Sequence, residues 1–480
     1  MSFCISALST TQIHALTTTQ LKEVEGADLK AMSTDQLAAL KAEQIEALKG
    51  RDIAVLGASQ IQALQLYNGR GLLATQVSAL SSSQVKAFTS TQISALSGAC
   101  LSALKPRQIK AIDADDIAEL SEEQVTSLIA SPGHLKALTT DQVGALSEAA
   151  IHALSAKQVH VLTTAQVKAL SGSQISAMSG TQLSHLMTRQ VRAIDAEDLD
   201  DLSDDQVAAL IDTTRDLAAL TADQIEALSA TAINALSGAQ VRALSTSQVR
   251  ALSTDQIRAL SGTQLASLSA AQVKALSGDH FKAMSADQLA AFTSEQMQAI
   301  DAGELEDLST EQVGALIGET SHLAALTTAQ VRALSTEAMK ELSHDQIRAL
   351  TTGQVRALTA DQVKALSNTQ LASLSIAQLR SIDADDLDEL SDDQIETLGG
   401  DQVAALTTAQ VRELSADQIR ALGDDVEHLT IWQVKALTTT QIQYGLSVDQ
   451  IREMTSTQIG ALTATQIAAM SDEQKAALSS

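Results

Sequence analysis

Apolar and polar positions recur along this chain in a phrase of eight residues. Position 1 is Ser or Thr, position 4 Gln, position 5 Ile or Val, position 7 Ala and position 8 Leu. Positions 2, 3 and 6 vary. Ser253-Thr254-Asp255-Gln256-Ile257-Arg258-Ala259-Leu260 is a clean copy. Positions 5 and 8 share one face of a helix but fall on opposite faces of a strand. Ser/Thr-x-x-Gln is a capping box, in which the hydroxyl accepts from the N3 amide and Gln reaches back to the N-cap amide. The preceding Leu and the following Ile/Val then form a hydrophobic staple. Acids at position 3 (Asp255, Glu311, Asp417) and bases at position 6 (Arg242, Arg250, Arg258, Lys274, Arg420) suit the helix dipole. Each octad therefore predicts one helix of about two turns, followed by a sharp turn.

One continuous helix fails, because eight residues advance about 800° and the Leu positions would spiral rather than form a stripe. A β-solenoid is the competing architecture, favoured by Thr, Val and Ile. Ala and Leu favour the helix. Helices this short are marginal in isolation, so neighbouring octads must stack. The expected fold is all-α, a right- or left-handed solenoid of very short helices spanning residues 1–480 as a single elongated repeat domain. Gln at position 4 has two conceivable roles, the cap itself and a ladder between stacked octads, and the cap is the simpler.

The departures from the phrase form a second pattern. Asp replaces Ser/Thr in four acidic octads, which open modules at 113–128, 195–210, 301–316 and 383–398. Their starts lie 82, 106 and 82 residues apart, and ten-residue repeats follow the first three modules. The intervals differ by three octads, which hints at three octads per turn of the solenoid. Octads stay in register around Tyr67–Gly71, because Leu64, Leu72 and Leu80 remain in phase. Pro106 falls at the first helical position, where proline is tolerated. Residues 423–446 are irregular, with a seven- and a nine-residue repeat. The last repeat, 471–480, has Lys475 in the Ile/Val slot, as a polar capping unit should.

Composition narrows the chemistry. Aromatic residues make up 1% of the 480 and the net charge is −26, which argues against base-stacking platforms, phosphate backbones and anionic lipid. Cys4 and Cys100 build no disulfide framework and read as buried thiols. Nothing resembles a signal peptide or a span of about 18 apolar residues, so a soluble protein is expected, cytoplasmic or exported without a classical signal. The nine histidines show no metal-ligand spacing. His134 and His322 occupy matching slots in two decads, but Asp216 fills the third. No nucleophile elbow, phosphate loop or dinucleotide fingerprint is present, and catalytic residues and cofactors are expected to be absent.

The acidic modules are the main candidates for a site. Asp116, Asp198, Glu304 and Asp386 stand at position 4, and Glu119, Asp201, Asp307 and Glu389 at position 7. Clustered carboxylates suit Ca²⁺. The blander expectation makes the leading Asp of each octad an N-cap and the other acids a solvated edge. Trp432 is expected to plug the register break. The bases from Arg242 to Lys274 are expected to form a salt-bridged ridge on one face.

The phrase Leu-Thr-Thr-Ala-Gln-Val-Arg-Ala-Leu (Leu326 to Leu334) resembles the Ala/Thr/Gln-rich tandem repeats of some large bacterial proteins, often secreted or surface-exposed. The resemblance covers nearly the whole chain and implies neither catalytic residues nor an activity. The expected function is a non-enzymatic scaffold for protein partners, with self-association possible. A bacterial surface stalk or adhesin, and an acidic superhelix that mimics DNA, are the alternatives. Nucleic-acid binding and membrane insertion are not expected.

Overall fold

The computed structural model describes residues 5–66 and 70–478. Cys4 and the centre of the Tyr67–Gly71 disturbance lie outside the described residues. Short helices fill the rest, and among the described residues there is no β-strand, so the fold is an all-α solenoid and the β-solenoid is set aside. Contacts group Met1–Ala235 and Leu236–Ser480 as two compact bodies built on the same rules.

Outside the octad 65–72, the described octads each yield one short helix, such as Thr352–Arg356 or Ala360–Lys364. The capping box closes the N-terminus. Gln354 N donates to Thr351 Oγ1 at 3.2 Å, while Thr351 N donates to Gln354 Oε1 at 2.7 Å. Where Ser or Thr is lost, the Gln half persists, as in Met187 N to Gln190 Oε1 at 2.6 Å. Where Gln is lost, the Ser half persists, as in Ala338 N to Ser335 Oγ at 3.1 Å. The two halves are therefore independent, which suggests that Gln has a second task.

That task is the ladder. The Gln Nε2 group donates to C-terminal carbonyls of the helix four repeats back. Gln354 donates to Leu323 O (3.0 Å) and Leu326 O (2.8 Å), and Gln362 to Val331 O (2.8 Å) and Leu334 O (2.7 Å). A single side chain caps its own helix and closes the end of another, so the two expected roles of Gln are held together. Most position-4 glutamines are buried alongside the Ile/Val and Leu positions, and Gln190 is fully covered. An amide buried this deeply must have its polar atoms paired, and both of them are.

The stacking agrees with the hint of three octads per turn. Helices pack against the third helix before and after them, but the Gln bond to the last carbonyl usually spans 28 residues, or three and a half octads. The N-terminus of each helix thus sits over the corner between two earlier repeats. Irregular repeats change this residue count and leave the repeat count alone. The span is 30 where a decad intervenes (Gln142 to Ile112, Gln330 to Ile300) and 27 across the seven-residue repeat (Gln433 to Leu406). The extra residues of each decad lengthen the loop and the preceding helix, as in Glu122–Leu128 and Thr310–Leu316. The seven-residue repeat is a 3₁₀ helix, Gly423–His428, entered through Gly423 at φ 52°. The nine-residue repeat absorbs its extra residue as one turn of π-helix, Gln441–Gly445.

Close packing explains the small residues. Position 2 of one helix faces position 7 of the helix three repeats on. A methyl group at Gly172 would fall 2.5 Å from an Asp201 oxygen and 3.0 Å from an Asp198 oxygen, and one at Gly262 would fall 2.8 Å from Ala291 Cβ. At Gly172 the close approach leaves no room for a side chain beside Asp201, and at Gly262 none beside Ala291.

Candidate functional site

Substitutions in the Gln slot show what the ladder requires. His280 reproduces both halves of the amide. Its Nδ1 accepts from Ser277 N at 3.1 Å and its Nε2 lies 2.7 Å from Leu252 O. These partners assign the proton to Nε2. Cys100, a buried free thiol as expected, donates its Sγ proton to Leu72 O at 3.1 Å. Asp52 cannot donate to a carbonyl as a carboxylate. It accepts instead from Gly26 N at 3.1 Å and caps a helix whose own N-cap, Glu25, makes no side-chain bond.

The acidic octads break the ladder in a different way. Asp113, Asp195, Asp301 and Asp383 make no side-chain cap bond, which corrects the expectation that they replace Ser as N-caps. Each has an acid in the slot where Gln stands in the regular octads. Burial raises the pKa of Asp198, with further contributions from Asp195, Asp201 and Glu197. Burial raises Asp386 as well, and Asp383, Asp385 and Glu389 add to it while Arg332 opposes. Asp116 is buried, Asp198, Glu304 and Asp386 are half-buried, and Glu119, Asp201, Asp307 and Glu389 are exposed.

Of the eight calcium candidates, Asp198 and Asp201 converge over Gly172. Asp307 pairs with Lys282 at 2.8 Å, a bond that raises the lysine pKa, and Glu389 pairs with Lys364 at 3.2 Å. Glu119 lines an open groove of about 730 Å³ with Asp115 and Ser90. Among the described residues, no three Asp, Glu, His or Cys side chains gather closely enough to hold a metal ion. His134 Nδ1 meets Leu128 O at 3.0 Å, whereas the matching Nδ1 of His322 is buried without a partner, so the two decads do not share a contact.

Two further expectations need correction. Trp432 is no plug. It is 67% exposed, with Lys435 Nζ 5.4 Å from its ring centroid, and Ile431 and Tyr444 are exposed as well. The nine-residue repeat absorbs its extra residue in the backbone, so no large side chain is needed to fill a gap. Nor do the bases from Arg242 to Lys274 form one ridge. Consecutive octads belong to different stacks, so only every third octad shares a face.

Reading every third helix in Leu236–Ser480 separates three columns. In one, the stacked helices Ala286–Ala290, Thr310–Leu316, Thr336–Lys340, Ala360–Lys364 and Ala384–Asp388 carry Asp287, Glu311, Glu337, Asp361 and Asp385 at position 3, all exposed. A second column stacks Ala302–Glu306, Thr328–Ala333, Thr352–Arg356 and Ile376–Leu379. Its position-3 residues are Gly303, Ala329, Gly353 and Ala377, and its position-6 residues include the exposed Arg332, Arg356 and Arg380. The third column mixes Glu295, Asp345, Thr369 and Asp393. A comparison of adjacent octads misses the acidic and arginine columns. Sampling every third repeat, 24 residues on or 26 across a decad, is the signal that finds them.

Comparison with known proteins finds repeats of this kind in the chain. The ALTTAQ repeat family matches residues 22–57, 213–246, 239–270, 319–352 and 345–376. No curated protein matches. Among solved structures, an engineered protein aligns at 12% identity over 98% of this chain and 100% of its own, with a TM-score of 0.14. The structure of APUM23-GGAAUUGACGG aligns at 14% identity over 98% of this chain and 93% of its own, with a TM-score of 0.15. No helix among the described residues is long and apolar enough to cross a membrane.

Proposed function

We propose that this chain is a non-enzymatic scaffold whose column faces bind protein partners. The supporting observation is the split between a repeated interior and individual exteriors. Positions 4, 5 and 8 repeat the same buried Gln, Ile/Val and Leu, while positions 3 and 6 carry a different charge pattern on each column. A solenoid gains specificity from the variable residues on an extended face. Charge complementarity at such faces sets partner choice and encounter rate more than raw affinity.

Cross-linking of the full chain in cell lysate, read by mass spectrometry, tests this reading. The expected result is a stoichiometric protein whose cross-links concentrate on positions 3 and 6 of one column. Links spread evenly over all exposed positions, or none above background, would count against it.

A further inference from the structure

We infer that the arginine column of one copy of this chain docks on the acidic column of a second copy, rung against rung. This rests on the reading of the columns as interaction faces, and it names the partner.

Spacing is the first argument. Arg332, Arg356 and Arg380 lie 24 residues apart, and so do Glu337, Asp361 and Asp385. Each step is one stacked layer of the same lattice, so both ladders have the same rise, about 8–10 Å per packed helix. An unrelated acidic segment would need to match that rise by chance, whereas a second copy carries it by construction.

The unpaired state of the arginines is the second. Three other arginines at position 6 are neutralised by the acid at position 3 of their own helix, whereas Arg242, Arg250 and Arg412, with Ala239, Ser247 and Ala409 there, are not. Arg258 meets Asp255 at 2.6 Å, Arg420 meets Asp417 at 3.2 Å and Arg452 meets Asp449 at 3.0 Å. In the arginine column, position 3 is Ala329, Gly353 or Ala377, so that partner is missing. Among the described residues Arg356 and Arg380 form no ion pair. Arg332 makes none within pairing distance, although its charge opposes the raised pKa of Asp386. The small residues also leave the face low, open to a side chain approaching from outside. Ile376, 48% exposed and on the same repeat as Arg380, adds an apolar contact there.

The acidic face is suited to receive them. Asp361 and Asp385 form no ion pair among the described residues. Lys364, on the same helix as Asp361, is drawn to Glu389, and Lys340 stands near Glu337. The net charge of −26 opposes association at long range. At physiological salt the Debye length is about 8 Å, so facing rungs are felt while most of that charge is screened. Because the two faces differ, the contact is heterologous and need not close at a dimer.

Sedimentation velocity of the full chain over a concentration series tests the inference. Wild type should self-associate. The triple reversals R332E/R356E/R380E and E337K/D361K/D385K should each lower the association constant about tenfold or more, with unchanged circular dichroism confirming the fold. An equimolar mixture of the two variants should recover association, since each then presents the charge that the other lacks. Wild type that stays monomeric at its highest soluble concentration, or a mixture that fails to recover, overturns the zipper. A monomeric wild type that binds single-stranded DNA through the three arginines assigns the face to phosphate and also overturns it. Either result leaves the capture of a different protein in lysate free to stand or fall separately.

Discussion

The acidic and arginine columns of Leu236–Ser480 share one interior and differ outside. Gln354 under the arginine face and Gln362 under the acidic face make the same three kinds of bond, to their own N-cap amide and to two carbonyls four repeats back. Val355 and Val363 are both fully or almost fully buried, as are Leu358 and Leu366. Outside, Gly353 stands where Asp361 does, and Arg356 is unpaired where Lys364 reaches Glu389. The lattice carries the stability and leaves positions 3 and 6 free to diverge, because a solvated charge contributes little to folding.

This division makes predictions of decreasing size. Leu358→Ala and Leu366→Ala should each cost about 2–5 kcal/mol, the range for a buried leucine, and chemical denaturation should give equal losses on both faces. A marked difference would mean that the columns do not share one lattice. Gln354→Leu and Gln362→Leu should each cost about 1–3 kcal/mol, since the N-cap amide and two carbonyls lose their partner. This loss should exceed that of Thr351→Ala, which removes one cap bond worth about 1 kcal/mol.

Asp386→Gln should stabilise the protein by about 1 kcal/mol at pH 7, because it restores a donor to the broken rung. The raised pKa means that the folded state holds the proton more tightly than the unfolded chain does. The carboxylate's penalty is therefore fully present above the raised folded value and is relieved as pH falls below its ordinary value of 3.8. Denaturation midpoints of the variant and wild type should accordingly converge in acid, and a gain that persists there would sink the explanation. The smallest effects belong to the faces. Arg356→Glu and Asp361→Lys should each shift the stability of the monomer by less than about 0.5 kcal/mol, measured in the same denaturation series.

Much of the local structure is legible in the octad. Thr351 and Thr359 cap their helices as the phrase predicts, and the helices fall where periodicity puts them. The same reading misjudges the leading Asp of the acidic octads. An Asp is a good N-cap in isolation, but Asp195 and Asp383 have the acids Asp198 and Asp386 in the slot where Gln stands in the regular octads. Trp432 is misjudged for a related reason, since a break in register does not reveal whether side chains or a π-turn absorb the extra residue. The candidate faces are not legible at all from consecutive octads.

The sequence by itself determined what a single repeat must do. Capping box, staple and dipole charges act within about ten residues, so eight letters suffice to specify a short helix and a turn. The spacing of the acidic modules hinted that every third repeat shares a face, and only the tertiary structure decided which of their residues meet. That choice depends on the 28-residue Gln-to-carbonyl offset and on the close approach of positions 2 and 7 between stacked helices. Both are contacts between residues far apart in the chain, and the octad carries no record of them beyond a Gln with one more hydrogen-bonding group than its own helix can use.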